Sequence, residues 1–237
     1  MSASASVAPP STDVVLAARA LSVGHGNVPF VKDLDLEIRS GEILALLGSN
    51  GAGKTTTLMG LSGLLRPMSG HVEVGGLAST APLHRRSREG VAYITQERCV
   101  FTGLSVRDNL RVGGVDPEEA LEPFPELLSH MKRRVGLLSG GQQQMLAVAR
   151  ALARRPAVML ADELSLGLAP MIVDRILQTL VDAARDRDLA VVLVEQQITK
   201  AMAISDRTGV LRRGRLELMA SSDELLGRLD DVRDLYL

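Results

Sequence analysis

Tryptophan is absent from this chain of 237 residues, and the aromatic share is only 2%. A core must then be built from Leu, Val, Ile, Ala and Met, and a hydrophobic share of 46% supplies enough of them. A single cysteine, Cys99, excludes an internal disulfide framework and fits a reducing cytosol. It reads as an unpaired thiol with no function of its own. Excess charge is missing as well. A formal net charge of −1 gives no electrostatic basis for nucleic acid as a partner. No apolar run approaches the ~18 residues that span a bilayer. The longest, such as 189–194, have the length of a strand. Residues 1–12 are rich in Ser, Ala and Pro and lack both the basic and the apolar region of a secretory signal. They read as a disordered tail. The expectation is a soluble cytosolic protein whose membrane association, if any, runs through a partner.

The length suits one large α/β domain, expected over 13–237, or a core with a small insertion. No internal repeat is visible. Residues 14–18 form a β-branched start. Residues 34–39 alternate apolar and polar side chains, as a half-buried antiparallel strand does. Continuous apolar runs at 42–47, 157–161 and 189–194 suit strands buried on both faces. Shorter strands are expected at 72–74 and 91–95, and a hairpin over 210–219 turning at Arg213-Gly214. Helical periodicity marks 54–65 and 171–187. A helical insertion, about 97–155, is punctuated by Pro117, Pro123 and Pro125. The order predicts an α/β fold: a mostly parallel sheet with an N-terminal antiparallel β subdomain and an inserted α-helical subdomain.

Gly48-Ser49-Asn50-Gly51-Ala52-Gly53-Lys54-Thr55 matches GxxxxGK[ST] between a predicted strand and a predicted helix. The glycines let backbone N–H groups wrap phosphate oxygens at a helix N-terminus. Lys54 is placed to neutralise the β- and γ-phosphates, and the Thr55 hydroxyl to ligate Mg²⁺. Thr56 is the next residue of the same nucleotide site, and with this loop the expected α/β fold takes a P-loop NTPase core. The 157–161 strand then ends in Asp162-Glu163. Strand ends on one edge of a parallel sheet converge, so this pair can face the phosphate loop. Asp162 is expected to hold Mg²⁺ and Glu163 to activate the attacking water.

Leu138-Ser139-Gly140-Gly141-Gln142 opens a helix, with Ser139 as its cap and two glycines leaving N–H groups bare. By this LSGGQ sequence, taken with the phosphate loop, the chain resembles the ABC ATPases from about Ala18 onward. The resemblance implies ATP and Mg²⁺ as cofactors and a head-to-tail dimer. In it, Ser139, Gly140, Gly141 and Gln142 of one subunit contact the nucleotide held by the other. It places Gln96 at the glutamine loop that senses Mg²⁺ and the γ-phosphate. His25 falls where an aromatic usually stacks on adenine, and Gln196 where a switch histidine usually stands. Gln196 can hydrogen-bond a phosphate oxygen but carries no charge. Leu164 replaces a common proline, and Ala169 a common aspartate.

These departures, with Ser165-Leu166-Gly167-Leu168-Ala169-Pro170, 194–197 and the ending 232–237, look like the ATPases of branched-chain amino acid importers, in which they are ordinary. The partners implied are an integral-membrane permease, a second identical or different ABC ATPase and, indirectly, an extracytoplasmic substrate-binding protein. The expected location is the cytoplasmic face of the cell membrane. ATPases for urea and short amides share most of the same residues, so that reading stays open beside the amino-acid one. A soluble ABC ATPase of translation or DNA repair usually carries two ATPase domains or a long coiled-coil insertion, for which the chain has no room. A P-loop kinase or GTPase leaves LSGGQ unexplained, and no guanine-reading NKxD element is present.

Overall fold

Continuous apolar runs become buried strands in the computed structural model, which describes residues 13–229. The tail expected over 1–12 and the ending 232–237 lie outside the described residues. The chain begins with β1 (Val14–His25), β2 (Val28–Arg39), β3 (Ile43–Leu47), α1 (Lys54–Ser62), β4 (Ser69–Val74), β5 (Leu77–Ser79), α2 (Leu83–Arg86) and β6 (Val91–Ile94). A helical stretch follows: α3 (Val106–Val112), α4 (Pro117–Ala120), 3₁₀ turns at Pro125–His130 and Val135–Leu137, and α5 (Gly140–Leu152). Then come β7 (Val158–Asp162), α6 (Pro170–Arg187), β8 (Ala190–Val194), α7 (Ile198–Ile204), β9 (Arg207–Arg212), β10 (Arg215–Ser221) and α8 (Ser222–Leu226).

Two sheets result, in the orders β2-β1-β4-β5 and β10-β9-β3-β8-β7-β6. The first is antiparallel. In β2, Leu34, Leu36 and Ile38 are buried between exposed or half-buried neighbours, as their alternation predicts. The second is parallel from β9 through β6, with β10 the antiparallel edge. All five residues of β3, of β7 and of β8 are buried. Each fully buried Leu, Ile or Val among them contributes roughly 1.5–3 kcal/mol.

Strand alternation divides the core in two. Leu44, Leu46, Leu160 and Val192 pack against α1 residues Leu58 and Leu61 and the inner face of the antiparallel sheet. Ile43, Ala45, Met159, Val191 and Leu193 pack on the opposite face against α5, α6 and the helical stretch, where Leu110, Phe124 and Leu127 are fully buried. The prolines break that stretch into short pieces: Pro117 opens α4 and Pro125 opens a 3₁₀ turn.

The expected helix over 54–65 is shorter. It stops at Ser62 because Gly63 takes a left-handed φ of 77°. Any Cβ at Gly63 would stand 2.5 Å from Ala81 O. The end of α1 is closed by Arg86, which is 1% exposed. Its Nη1 donates to Gly60 O at 2.9 Å and Leu61 O at 2.6 Å, and its Nη2 donates to Ser79 O at 2.8 Å. A cation here complements the helix dipole whose positive end lies at the phosphate loop. Arg86→Leu is expected to cost about 3 kcal/mol, because two buried carbonyls and one half-buried one lose charge-assisted partners. A lowered urea midpoint checks this; an unchanged midpoint contradicts it.

Candidate active site

The parallel strands bring their C-terminal ends to one edge. Leu46 pairs with Val194, Val194 with Asp162, and Ala161 with Ile94. The residues that follow these strands (Gly48, Glu195, Glu163 and Gln96) therefore emerge side by side, as the sequence reading expects of a parallel sheet.

The phosphate loop requires glycine at two positions for stated reasons. A Cβ on Gly48 would lie 2.3 Å from Leu211 O, and Gly53 caps α1 with a φ of 106° that strains any other residue. The turn between β9 and β10 braces the loop from outside, where Gly214 N donates to Ala52 O at 2.9 Å. Lys54 is 6% exposed. Its ammonium donates to Gly48 O at 2.7 Å and Ser49 O at 3.1 Å, which folds it over the loop. Burial lowers its pKa, and the nearby Glu163 and Asp162 charges oppose that shift.

Thr55 and Asp162 meet across the site. The Thr55 hydroxyl donates to Asp162 Oδ1 at 3.3 Å, and the Tyr93 hydroxyl donates to Oδ2 at 3.3 Å. Burial raises the Asp162 pKa, while these two bonds hold it back. Tyr93 goes beyond the sequence reading. Its signal was faint, one tyrosine of two in a strand that leads to Gln96.

Glu163 has a φ of 49°. That left-handed backbone costs a glutamate on the order of 1–3 kcal/mol. Its amide donates to Val194 O at 2.9 Å, and Gln196 Nε2 donates to its Oε2 at 2.9 Å. Just behind it Ser165 and Glu195 are bonded together, a second pair with no motif to announce it. Burial raises the Glu195 pKa, opposed by the bonds from Ser165.

The remaining predicted residues lie outside this hydrogen-bond network. Ser139 caps α5 in a reciprocal box, accepting from Gln142 N at 3.2 Å while Gln142 Oε1 accepts from Ser139 N at 3.0 Å. Gly140 faces the Arg98 guanidinium, and Gly141 lets Ile172 of α6 approach to 2.9 Å of where a Cβ would be. His25 is exposed at the end of β1, its ring edge-on to Phe30 at 5.8 Å between centroids. Gln96 is exposed two residues past β6.

A glycine-rich loop at a helix start, a buried lysine, a hydroxyl–carboxylate pair and a second carboxylate held by an amide side chain together suit phosphoryl transfer to water. Comparison with known proteins agrees. The family model described as ABC transporter matches residues 31–165. The high-affinity branched-chain amino acid transport ATP-binding protein BraG of Pseudomonas aeruginosa is 38% identical over 92% of this chain and 97% of that protein. The lipopolysaccharide export system ATP-binding protein LptB of Acidithiobacillus ferridurans is 34% identical over 94% of this chain and 96% of that protein. The fold matches the ADP conformation of an ATP-binding cassette of an ABC transporter, with a TM-score of 0.84 at 20% identity over 95% of this chain and 99% of that one. With fold, loop and family match in agreement, the chain belongs to the ABC transporter family as one of its ATP-hydrolysing subunits.

Proposed function

We propose that this chain hydrolyses ATP at an interface with a second ABC ATPase, and that hydrolysis powers uptake of branched-chain or other hydrophobic amino acids through a separate integral-membrane permease. The observation that supports the catalytic part is the 2.9 Å bond from Gln196 to the Glu163 carboxylate, whose charge acts on Lys54 of the phosphate loop. The amino-acid part is supported by the 38% identity to a branched-chain transport ATP-binding protein along nearly the whole chain.

The loop amides of 48–55 and Lys54 bind the β- and γ-phosphates. The hard oxygens of Thr55 and Asp162, 3.3 Å apart, fit a magnesium ion, with Gln96 as a further ligand. Bound there, that ion supplies positive charge to the phosphate oxygens. Glu163 accepts a proton from water as the water oxygen attacks the γ-phosphorus. The bond to the bridging oxygen breaks, ADP leaves with that electron pair, and the proton passes on to phosphate. Gln196 orients Glu163. Ser139, Gly140, Gly141 and Gln142 of the second subunit complete the site, and His25 stacks on the base. Tyr93 steadies Asp162, so Tyr93→Phe is expected to raise the Mg²⁺ requirement of turnover roughly tenfold. A magnesium titration at saturating ATP reads this, and an unchanged midpoint counts against it.

Beside Gln96 lies a groove of about 410 Å³, lined by Ala92, Ile94, Ala147 and Ala151 with Arg88 and Arg150 among its cations. It supports docking of a cytoplasmic permease segment there. No helix among the described residues is long and apolar enough to cross a membrane, so attachment to the cytoplasmic face runs through that partner. An extracytoplasmic binding protein would select the cargo.

The test is uptake by the host with this chain deleted. The expected result is loss of radiolabelled leucine, isoleucine and valine uptake, restored by the intact chain. Normal uptake of all three with lost urea uptake would move the assignment to urea and short amides. The LptB likeness favours a second reading, export of a lipid-linked cargo. Normal amino-acid and urea uptake with a defective outer layer would support that reading instead.

A further inference from the structure

Two buried groups beside Glu163 take no part in the chemistry above. Glu195 follows β8 and is 2% exposed, and Ser165 stands two residues past Glu163 and is 8% exposed. They are joined twice. Ser165 N donates to Glu195 Oε1 at 3.1 Å, and the Ser165 hydroxyl donates to Oε2. A buried carboxylate is unfavourable unless both oxygens are satisfied, and an apolar pair would fill the same space with less desolvation. Its presence has a geometric consequence.

Glu163 keeps its left-handed backbone only while its neighbours over-determine the turn. On one side its amide is held by Val194 O at 2.9 Å. On the other, Ser165 is gripped by Glu195 through backbone and side chain. The next residue, Gln196, holds the Glu163 carboxylate itself at 2.9 Å. Residues 194–196 thus fix the turn at both ends and the reactive head group. The bond network spans the ends of two neighbouring strands, β7 and β8, so the turn is referenced to the rigid sheet.

We propose that Glu195 is a positioning residue for hydrolysis: by gripping Ser165 it fixes the turn that carries Glu163 and so sets where the Glu163 carboxylate stands. The inference rests on the role of Glu163 proposed above. Glu195 acts through Glu163 and needs no contact with ATP.

Steady-state and single-turnover ATPase measurements on the full chain test this. Glu195→Gln keeps the shape but turns one acceptor into a donor that faces Ser165. Its kcat is expected to fall 10- to 100-fold, the usual scale for losing a partner that orients a reacting group. KM and the affinity for a fluorescent ATP analogue are expected to stay within about twofold. Ser165→Ala, which keeps the backbone bond, loses less, and Ser165→Thr restores the rate. In a Glu163→Gln background, Glu195→Gln is expected to slow the residual rate no further, because nothing is left to position. A wild-type kcat in Glu195→Gln overturns the proposal. So does a loss confined to ATP binding, or one that multiplies fully with Glu163→Gln. If Glu195→Gln does not fold, Ser165→Ala decides, and a wild-type kcat there overturns it equally. Undiminished turnover in Glu163→Gln alone is a different failure, that of the Glu163 assignment.

Discussion

Lys54→Ala is expected to bind ATP at least about tenfold more weakly and to turn it over at least about 10³-fold more slowly. The reason is the place of the ammonium. Lys54 lies in the first turn of α1, is almost wholly buried, and bonds Gly48 O and Ser49 O at the start of the loop. A buried cation costs desolvation, and burial lowers its pKa. The charges of Asp162 and Glu163 offset that cost, and in the proposed reading a bound phosphate adds to the offset. Its removal leaves developing charge on the γ-phosphate without its closest point charge, and the loop loses an internal brace. Equilibrium binding of a fluorescent ATP analogue, with turnover measured beside it, checks both parts. Near-normal binding would contradict the assignment of the phosphate loop.

Glu163→Gln is expected to leave ATP affinity near normal and to slow hydrolysis by at least ~10²-fold, the scale for a positioned general base. The substitution is nearly isosteric, so the left-handed turn, the bond to Val194 O and the grip on Ser165 can all persist. What is lost is the basic oxygen that Gln196 now orients. Because ATP binds but is not consumed, this variant is also expected to accumulate as an ATP-bound dimer, seen as a shift in light-scattering mass on adding ATP and Mg²⁺. Unchanged turnover would move the water-activating role to another residue.

Much of this site is legible in the amino-acid order because its parts are local. The strand, the glycines and the Lys-Thr pair of the phosphate loop occupy adjacent positions, and so do the strand ending in Asp162-Glu163 and the Ser139 cap. Buried parallel strands are also legible, since residues covered on both faces must be continuously apolar. The hairpin is legible for a different reason: Arg213-Gly214, with φ of 49° and 81°, supplies a two-residue turn between β9 and β10. Other features depend on distance in sequence. Tyr93 reaches Asp162 across 69 positions and Ser165 reaches Glu195 across 30, and nothing local marks either pair. The short helices α7 and α8 and the strand β5 have 7, 5 and 3 residues, too few for a periodicity to show. The end of α1 at Ser62 follows from the tight approach of Gly63 to Ala81 and Arg86, a tertiary contact that overrides helix propensity.

The central claim is that this ATPase drives a membrane permease, and purification of the tagged chain from its native host in mild detergent, followed by mass spectrometry, tests it most directly. The account predicts recovery of a polytopic membrane protein together with an ABC ATPase, with ATP turnover in the purified assembly that Glu163→Gln slows sharply. Recovery of ribosomal or DNA-repair components with no membrane protein would contradict the transporter reading and leave an ATPase of another kind.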